Sequence, residues 1–161
     1  MYGAGDAKIG SIVGGTDADG KKLKKKFLKS LPALGKLVEA VKESAKKGYL
    51  KGLDGRHLHV RSTHAALNTL LQSAGALVCK KWLVILEEEL KARGLKHGWD
   101  GDYAFCGWIH DEVQIACRTP DIAQLVAQLA PACVTKAGEF FNFRCTLAGE
   151  AKVGKNWSET H

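Results

Sequence analysis

No Cys-x-x-Cys pair occurs in this sequence, although it contains five cysteines, Cys79, Cys106, Cys117, Cys133 and Cys145. An odd number at wide spacing supports neither a disulfide framework nor a cysteine-rich zinc ribbon; buried, reduced thiols in a cytoplasmic protein are expected. No run approaches 18 uninterrupted apolar residues, which argues against a membrane span. The start lacks the basic-then-apolar order of a signal peptide. Internal repeats and low-complexity linkers are missing as well. The glycines at 3, 5, 10, 14 and 15 do not build a phosphate loop, because Gly10 leads into Ser11-Ile12 rather than Lys-Ser/Thr. No strand precedes them, so a dinucleotide fingerprint fails too, and glycines that ease tight turns remain.

What is there is an ordinary globular balance: 161 residues, 45% hydrophobic and 25% charged, enough for one domain or two. The net charge of +7 suggests an anionic partner, most commonly nucleic acid. That charge is segregated. Residues 1–61 carry 14 Lys and Arg against 6 Asp and Glu, a net +8, whereas 62–161 carry 10 against 11, a net −1.

Periodicity predicts a short helix over 4–13, with Ile9, Ile12 and Val13 on one side. A second follows over 21–30, with Asp17 and Asp19 as candidate N-caps, and a third from Pro32 to about Lys47. Segments 49–53 and 56–61 around Asp54-Gly55 read as a hairpin with a tight type I′ turn. Thr63 or His64 opens the longest helix, ending before Gly94. Its first half is apolar around most of its circumference and is expected to be buried, and its end, Glu87-Glu88-Glu89, solvated. Segments 103–109 and 113–117 form a second hairpin with His110-Asp111-Glu112 at its apex. Thr119 and Pro120 open another helix, and 141–147 reads as a last strand.

Several clusters carry candidate chemistry. The run Lys21, Lys22, Lys24, Lys25, Lys26 and Lys29 is a solvated cationic face or, with Arg56 and Arg61, a track for a phosphate backbone. His57 and His59 share a strand face at a spacing that zinc sites use, though no carboxylate or cysteine stands at useful spacing nearby. Asn68 and Gln72 lie four apart on one helix face, paired with a neighbouring loop or offered to a ligand. The sharpest feature is His110-Asp111-Glu112. It is either a solvated acidic turn or, in a nucleic-acid-binding protein, a magnesium site, since hard cations take carboxylate oxygens and substrate phosphates complete the shell. A metal-dependent nuclease would need a further acidic cluster and a general base, and neither is identifiable.

The order of Tyr2-Gly3, Asp54-Gly55-Arg56, Asn68-x-x-x-Gln72, Ile109-His110-Asp111-Glu112 and Gly154-x-Asn156-Trp157-x-x-x-His161 resembles that of family A DNA polymerases, the bacterial polymerase I type. The longer runs 51–56, 64–77 and 95–102 are similar to the replicative polymerases of short-tailed podophages.

The resemblance implies an α+β fold, part of the right-hand polymerase architecture, with antiparallel strands packed on helices. Residues 1–48 would be the rear of the helical, basic fingers, and 49–161 the palm. It implies catalytic roles for Asp111 and Glu112, with Asp111 as ligand of two Mg2+ ions. Primer–template contacts would fall to Asn68, Gln72, His110, Arg56, Arg61, Lys24 and Lys25. Tyr2 would lie at the nucleotide and His161 on an active-site tail. The implied partners are a DNA primer–template, deoxynucleoside triphosphates and an upstream polymerase portion that supplies a first catalytic aspartate, thumb and exonuclease. The setting would be the host cytoplasm, with no membrane partner. The alternative is a non-catalytic, basic DNA-binding fragment. Without the upstream portion the palm should expose a sheet edge and an apolar face.

Overall fold

A computed structural model describes residues 4–160. The expectations for Tyr2 and His161 fall outside the described residues. The chain forms two compact units, Met1–Ala74 and Gly75–His161.

The first unit opens with a helix pair, α1 (Asp6–Ile12) and α2 (Asp17–Ser30). Their backbones approach so closely that a Cβ on Gly20 would lie 2.0 Å from the Asp6 carbonyl oxygen. Two of the early glycines thus serve distinct purposes: Gly10 permits close contact with Thr16, and Gly14 takes a positive φ of 66° in the turn. Thr16 caps α2, in a reciprocal box with Asp19. Helix α3 (Pro32–Ala45) starts on Pro32, whose missing N–H costs nothing in a first turn. Strands β1 (Tyr49–Lys51) and β2 (His57–His59) pair antiparallel, Leu50 opposite Leu58. Val41, Ala45, Leu50, Val60 and Ala66 make the core of this unit. Ser62 accepts the His64 N–H at 3.3 Å and starts a 3-10 turn (Thr63–Ala65) that leads into α4 (Ala66–Ala92).

The second unit takes the later part of α4, then β3 (Tyr103–Ile109), β4 (Glu112–Cys117), α5 (Pro120–Phe140) and α6 (Trp157–Thr160). Trp82, Leu86 and Leu90, four apart, form a stripe on α4, and Val126, Ala130, Cys133 and Ala137, three or four apart, form one on α5. With Tyr103 they are the core, and each large apolar side chain buried there contributes about 1.5–3 kcal/mol. The α+β class expected from the sequence is the observed one, with two separate two-stranded sheets among the described residues.

Several local expectations are corrected. Thr16, not Asp17 or Asp19, is the N-cap of α2, because its hydroxyl reaches the Asp19 N–H. The first hairpin turns through five residues, 52–56, with only Gly55 at positive φ, whereas a type I′ turn needs two such residues. The first half of α4 is less buried than expected: Ala66 is in the core but Leu71 is exposed, whereas Leu86 and Leu90 in the second half are fully buried. Glu87 and Glu89 are held in ion pairs rather than merely solvated. The 141–147 strand does not form. Helix α5 runs to Phe140 and ends in a Schellman turn, with Asn142 at φ 56° and the Phe143 N–H on the Gly138 carbonyl. Cys106 and Cys145 are exposed, so only part of the thiol set is shielded. Thr63–Ala92 is long and apolar enough to cross a bilayer by composition, although its later turns supply the core just described.

Candidate active site

The β3–β4 hairpin carries the acidic motif. Its register runs from Tyr103 opposite Cys117 to Ile109 opposite Glu112, with a bulge at Cys106. Glu112 is therefore the first residue of β4, and the turn is His110-Asp111 alone. His110 sits at φ 56°, a left-handed conformation that costs a non-glycine residue about 1 kcal/mol or more. Trp108 holds this turn by donating its indole N–H to the His110 carbonyl at 2.7 Å.

The two carboxylates differ sharply in their surroundings. Asp111 is exposed, and among the described residues its carboxylate has no hydrogen-bond or ion-pair partner. Glu112 accepts from Gln114 Nε2 at 2.5 Å and from Trp157 Nε1 at 3.1 Å. Asp111 also lines a cleft of about 470 Å3 with Val78, Cys79, Trp82, Pro131, Val134, Ala148, Gly149 and Glu150. Burial, and then the Asp111 charge, push the Cys79 thiol above its usual range and keep it protonated.

Magnesium fits this chemistry in part. It takes carboxylate oxygens, and Asp111 offers an uncommitted pair on an open turn. Glu150 borders the same cleft, while Glu112 is engaged by two N–H donors. No group of three His, Cys, Asp or Glu that could hold a metal gathers among the described residues, and His57 and His59 have no third such ligand beside them there. His57 instead stacks on Tyr49, with ring centroids 4.0 Å apart.

Among the described residues, the remaining site residues expected from the sequence lie in the first unit, apart from His110, which flanks Asp111. Lys25 is exposed, but Lys24 donates to Asp6 Oδ1 at 3.3 Å and to the Ala4 carbonyl at 3.2 Å, joining α2 to α1. Arg56 is forked onto Asp54. Burial works to raise the Asp54 carboxyl, and hydrogen bonds from Arg56 overcome it and hold it below its usual range. Arg61 is exposed and has no partner among the described residues. The Asn68 and Gln72 amides likewise have none, so their reading as a pair bonded to a neighbouring loop is not what the fold displays. Trp108, Gln114 and Glu150 were missed by sequence reasoning, and Trp157 entered only within the terminal motif, with no role of its own. The available signal was the tryptophans, whose indole N–H is a donor that pairs with nearby acceptors.

The sequence pattern of DNA polymerase family A matches residues 1–159. The DNA-directed DNA polymerase of Enterobacteria phage T3 is 52% identical, aligned with all of this chain and with 25% of its own length. That of Escherichia phage T7 is 51% identical over the same shares. That of Escherichia phage Phieco32 is 38% identical, over 99% of this chain and 26% of its own. The fold is similar to the polymerase domain of Pol1 from M. smegmatis, solved in complex with a DNA primer–template and dNTP. The TM-score is 0.69 at 17% identity, over 84% of this chain and 25% of that one. The chain thus spans about a quarter of the length of the relatives it matches. By a pattern that covers nearly every residue and by relatives half identical to it, the chain belongs to DNA polymerase family A.

Proposed function

We propose that this chain supplies part of the fingers and the palm of a phage DNA-directed DNA polymerase. Residues 1–48 are the rear of the fingers, 49–161 the palm, and Asp111 is a catalytic, metal-binding carboxylate. The observation that carries the reading is the pairing of an uncommitted Asp111 with a strained, tryptophan-held turn, since strain and unsatisfied charge persist where they serve a task.

In the reaction, the primer 3′ oxygen forms a bond to the α-phosphorus of a deoxynucleoside triphosphate and the bond to pyrophosphate breaks. Mg2+ held by the Asp111 carboxylate and a further carboxylate of the upstream portion would ease loss of the 3′ hydroxyl proton and offset charge on the departing pyrophosphate. The chain's own residues position. The turn presents the Asp111 carboxylate, and His110 borders the primer end. The donors of Asn68 and Gln72 test pair geometry at minor-groove acceptors that recur in every base pair. Lys25 and Arg61 contact phosphates, and Lys24 and Arg56 do so less, because Asp6 and Asp54 compensate their charge. Tyr2 borders the nucleotide and His161 the active site. The partners are a primer–template, deoxynucleotides and an upstream portion that brings the first aspartate. The setting is the host cytoplasm.

Primer extension tests this. The chain, joined with the upstream portion of a relative and supplied with Mg2+, extends a primer, and Asp111→Ala abolishes extension; activity that survives the substitution rejects the role of Asp111. The charge segregation favours a second reading, a basic DNA-binding module without catalysis. That reading is chosen if duplex binding falls with salt and no extension occurs under any combination.

A further inference from the structure

We propose that the last helix is a strap that holds the carboxylate hairpin, with Trp157 as a positioning residue for Asp111. The inference rests on the polymerase reading above. The sequence 154–160 builds the strap locally. Asn156 Oδ1 accepts the Glu159 N–H at 3.3 Å, and Glu159 Oε1 accepts from Asn156 Nδ2 at 3.0 Å. Glu159 Oε2 also takes the Lys155 N–H at 2.8 Å. Gly154 is needed because a Cβ there would lie 2.6 Å from Glu159 Cβ. A helix of only four residues, Trp157–Thr160, is thereby closed at its first turn.

Two hydrogen bonds tie it to β4. Trp157 Nε1 donates to Glu112 Oε1 at 3.1 Å, and Thr160 Oγ1 donates to Gln114 Oε1 at 3.3 Å. Gln114 Nε2 closes the circuit onto the same Glu112 oxygen. Glu112 and Gln114 point to one face of β4, as residues two apart on a strand must. The strap thus grips two residues of the strand that leaves the Asp111 turn, the first of them the carboxylate adjacent to the catalytic one. With Trp108 fixing the turn from β3, both strands that enter the apex are held by an indole N–H. Glu112 in this arrangement acts through orientation of the hairpin.

The test combines two readouts on the conservative variant Trp157→Phe, which keeps a ring and removes the N–H. In the free chain, hydrogen exchange at the β3–β4 amides rises severalfold. In primer extension with the upstream portion, kcat falls roughly 3- to 10-fold, the scale of one ordinary hydrogen bond, while KM for the deoxynucleotide and affinity for primer–template stay within about 2-fold. Combined with Glu112→Gln, the second substitution adds little to the first. Thr160→Val, which removes the Gln114 contact together with the bond from Thr160 Oγ1 to the Trp157 carbonyl, moves both readouts in the same direction by less. Unchanged exchange overturns the strap, and faster exchange with unchanged kcat overturns the positioning role. A wild-type chain that extends no primer contradicts the polymerase reading instead, and exchange then decides the strap alone.

Discussion

Trp82 of α4 donates its indole N–H to the Ala130 carbonyl of α5 at 2.9 Å, across 48 positions of sequence and inside the core of the second unit. The bond joins the two longest helices where their apolar stripes meet. Trp82→Phe removes the donor, leaves the Ala130 oxygen without that partner and opens space for part of a ring, so the expected loss is about 2–3 kcal/mol. Trp99 is 78% exposed, and Trp99→Phe should stay within about 0.5 kcal/mol. Denaturant midpoints of the two variants, measured side by side, check the contrast.

The same helices are clasped at the surface. Lys136 of α5 pairs with Glu89 of α4, which also takes Arg93. These bonds, Lys136 first, hold the Glu89 carboxyl below its usual 4.5. For Glu87, burial pushes upward but Lys91, Tyr103 and His97 outweigh it. A carboxyl whose folded pKa is depressed binds more protons unfolded. Its stabilisation is present above its unfolded value and is lost as pH falls through the folded one. The melting temperature should therefore hold steady from neutrality to about pH 5 and drop below it, with a shallower drop in Glu89→Gln. Lys136 is raised above its usual 10.5, mainly by Glu89, so its contribution is present below that value and fades at higher pH.

His110→Gly separates stability from activity. Glycine relieves the left-handed strain at φ 56°, so the variant should melt higher by an amount equivalent to about 1 kcal/mol, while primer extension falls because the side chain beside Asp111 is gone. A variant both less stable and fully active would contradict this account of the turn.

Salt dependence sorts the basic residues. Lys25→Ala and Arg61→Ala each remove an uncommitted cation and should lower the salt slope of duplex binding by about 1 each. Lys24→Ala should change the slope less and loosen the α1–α2 pair, because that ammonium already serves Asp6 and the Ala4 carbonyl. Filter binding at several salt concentrations reads both effects.

Much of this was legible in the sequence. Pro32 and Pro120 open helices, Thr119 caps α5, and the two hairpins lie where alternation put them. What was not legible depended on distant partners. The apolar first half of α4 is as hydrophobic as its second, and only the positions of α5, β3 and β4 decide that Trp82, Leu86 and Leu90 are the buried stripe. Segment 141–147 has strand-like residues, but Asn142 turns the chain into a Schellman motif and no partner strand is present among the described residues. At the site, the motif around Asp111 was visible because it is contiguous. The links from Glu112 to Trp157, 45 residues on, and from Asp111 to the cleft it shares with Glu150 exist only in three dimensions.

The central claim is that Asp111 is the carboxylate this chain contributes to nucleotidyl transfer. The most direct measurement is single-turnover primer extension by the chain joined with the upstream portion of a relative, comparing wild type with Asp111→Asn, which keeps shape and removes charge. The account predicts a rate loss on the order of 1,000-fold or more with primer–template affinity nearly unchanged. Asp111→Asn extending primers at a rate within about 10-fold of wild type would contradict it.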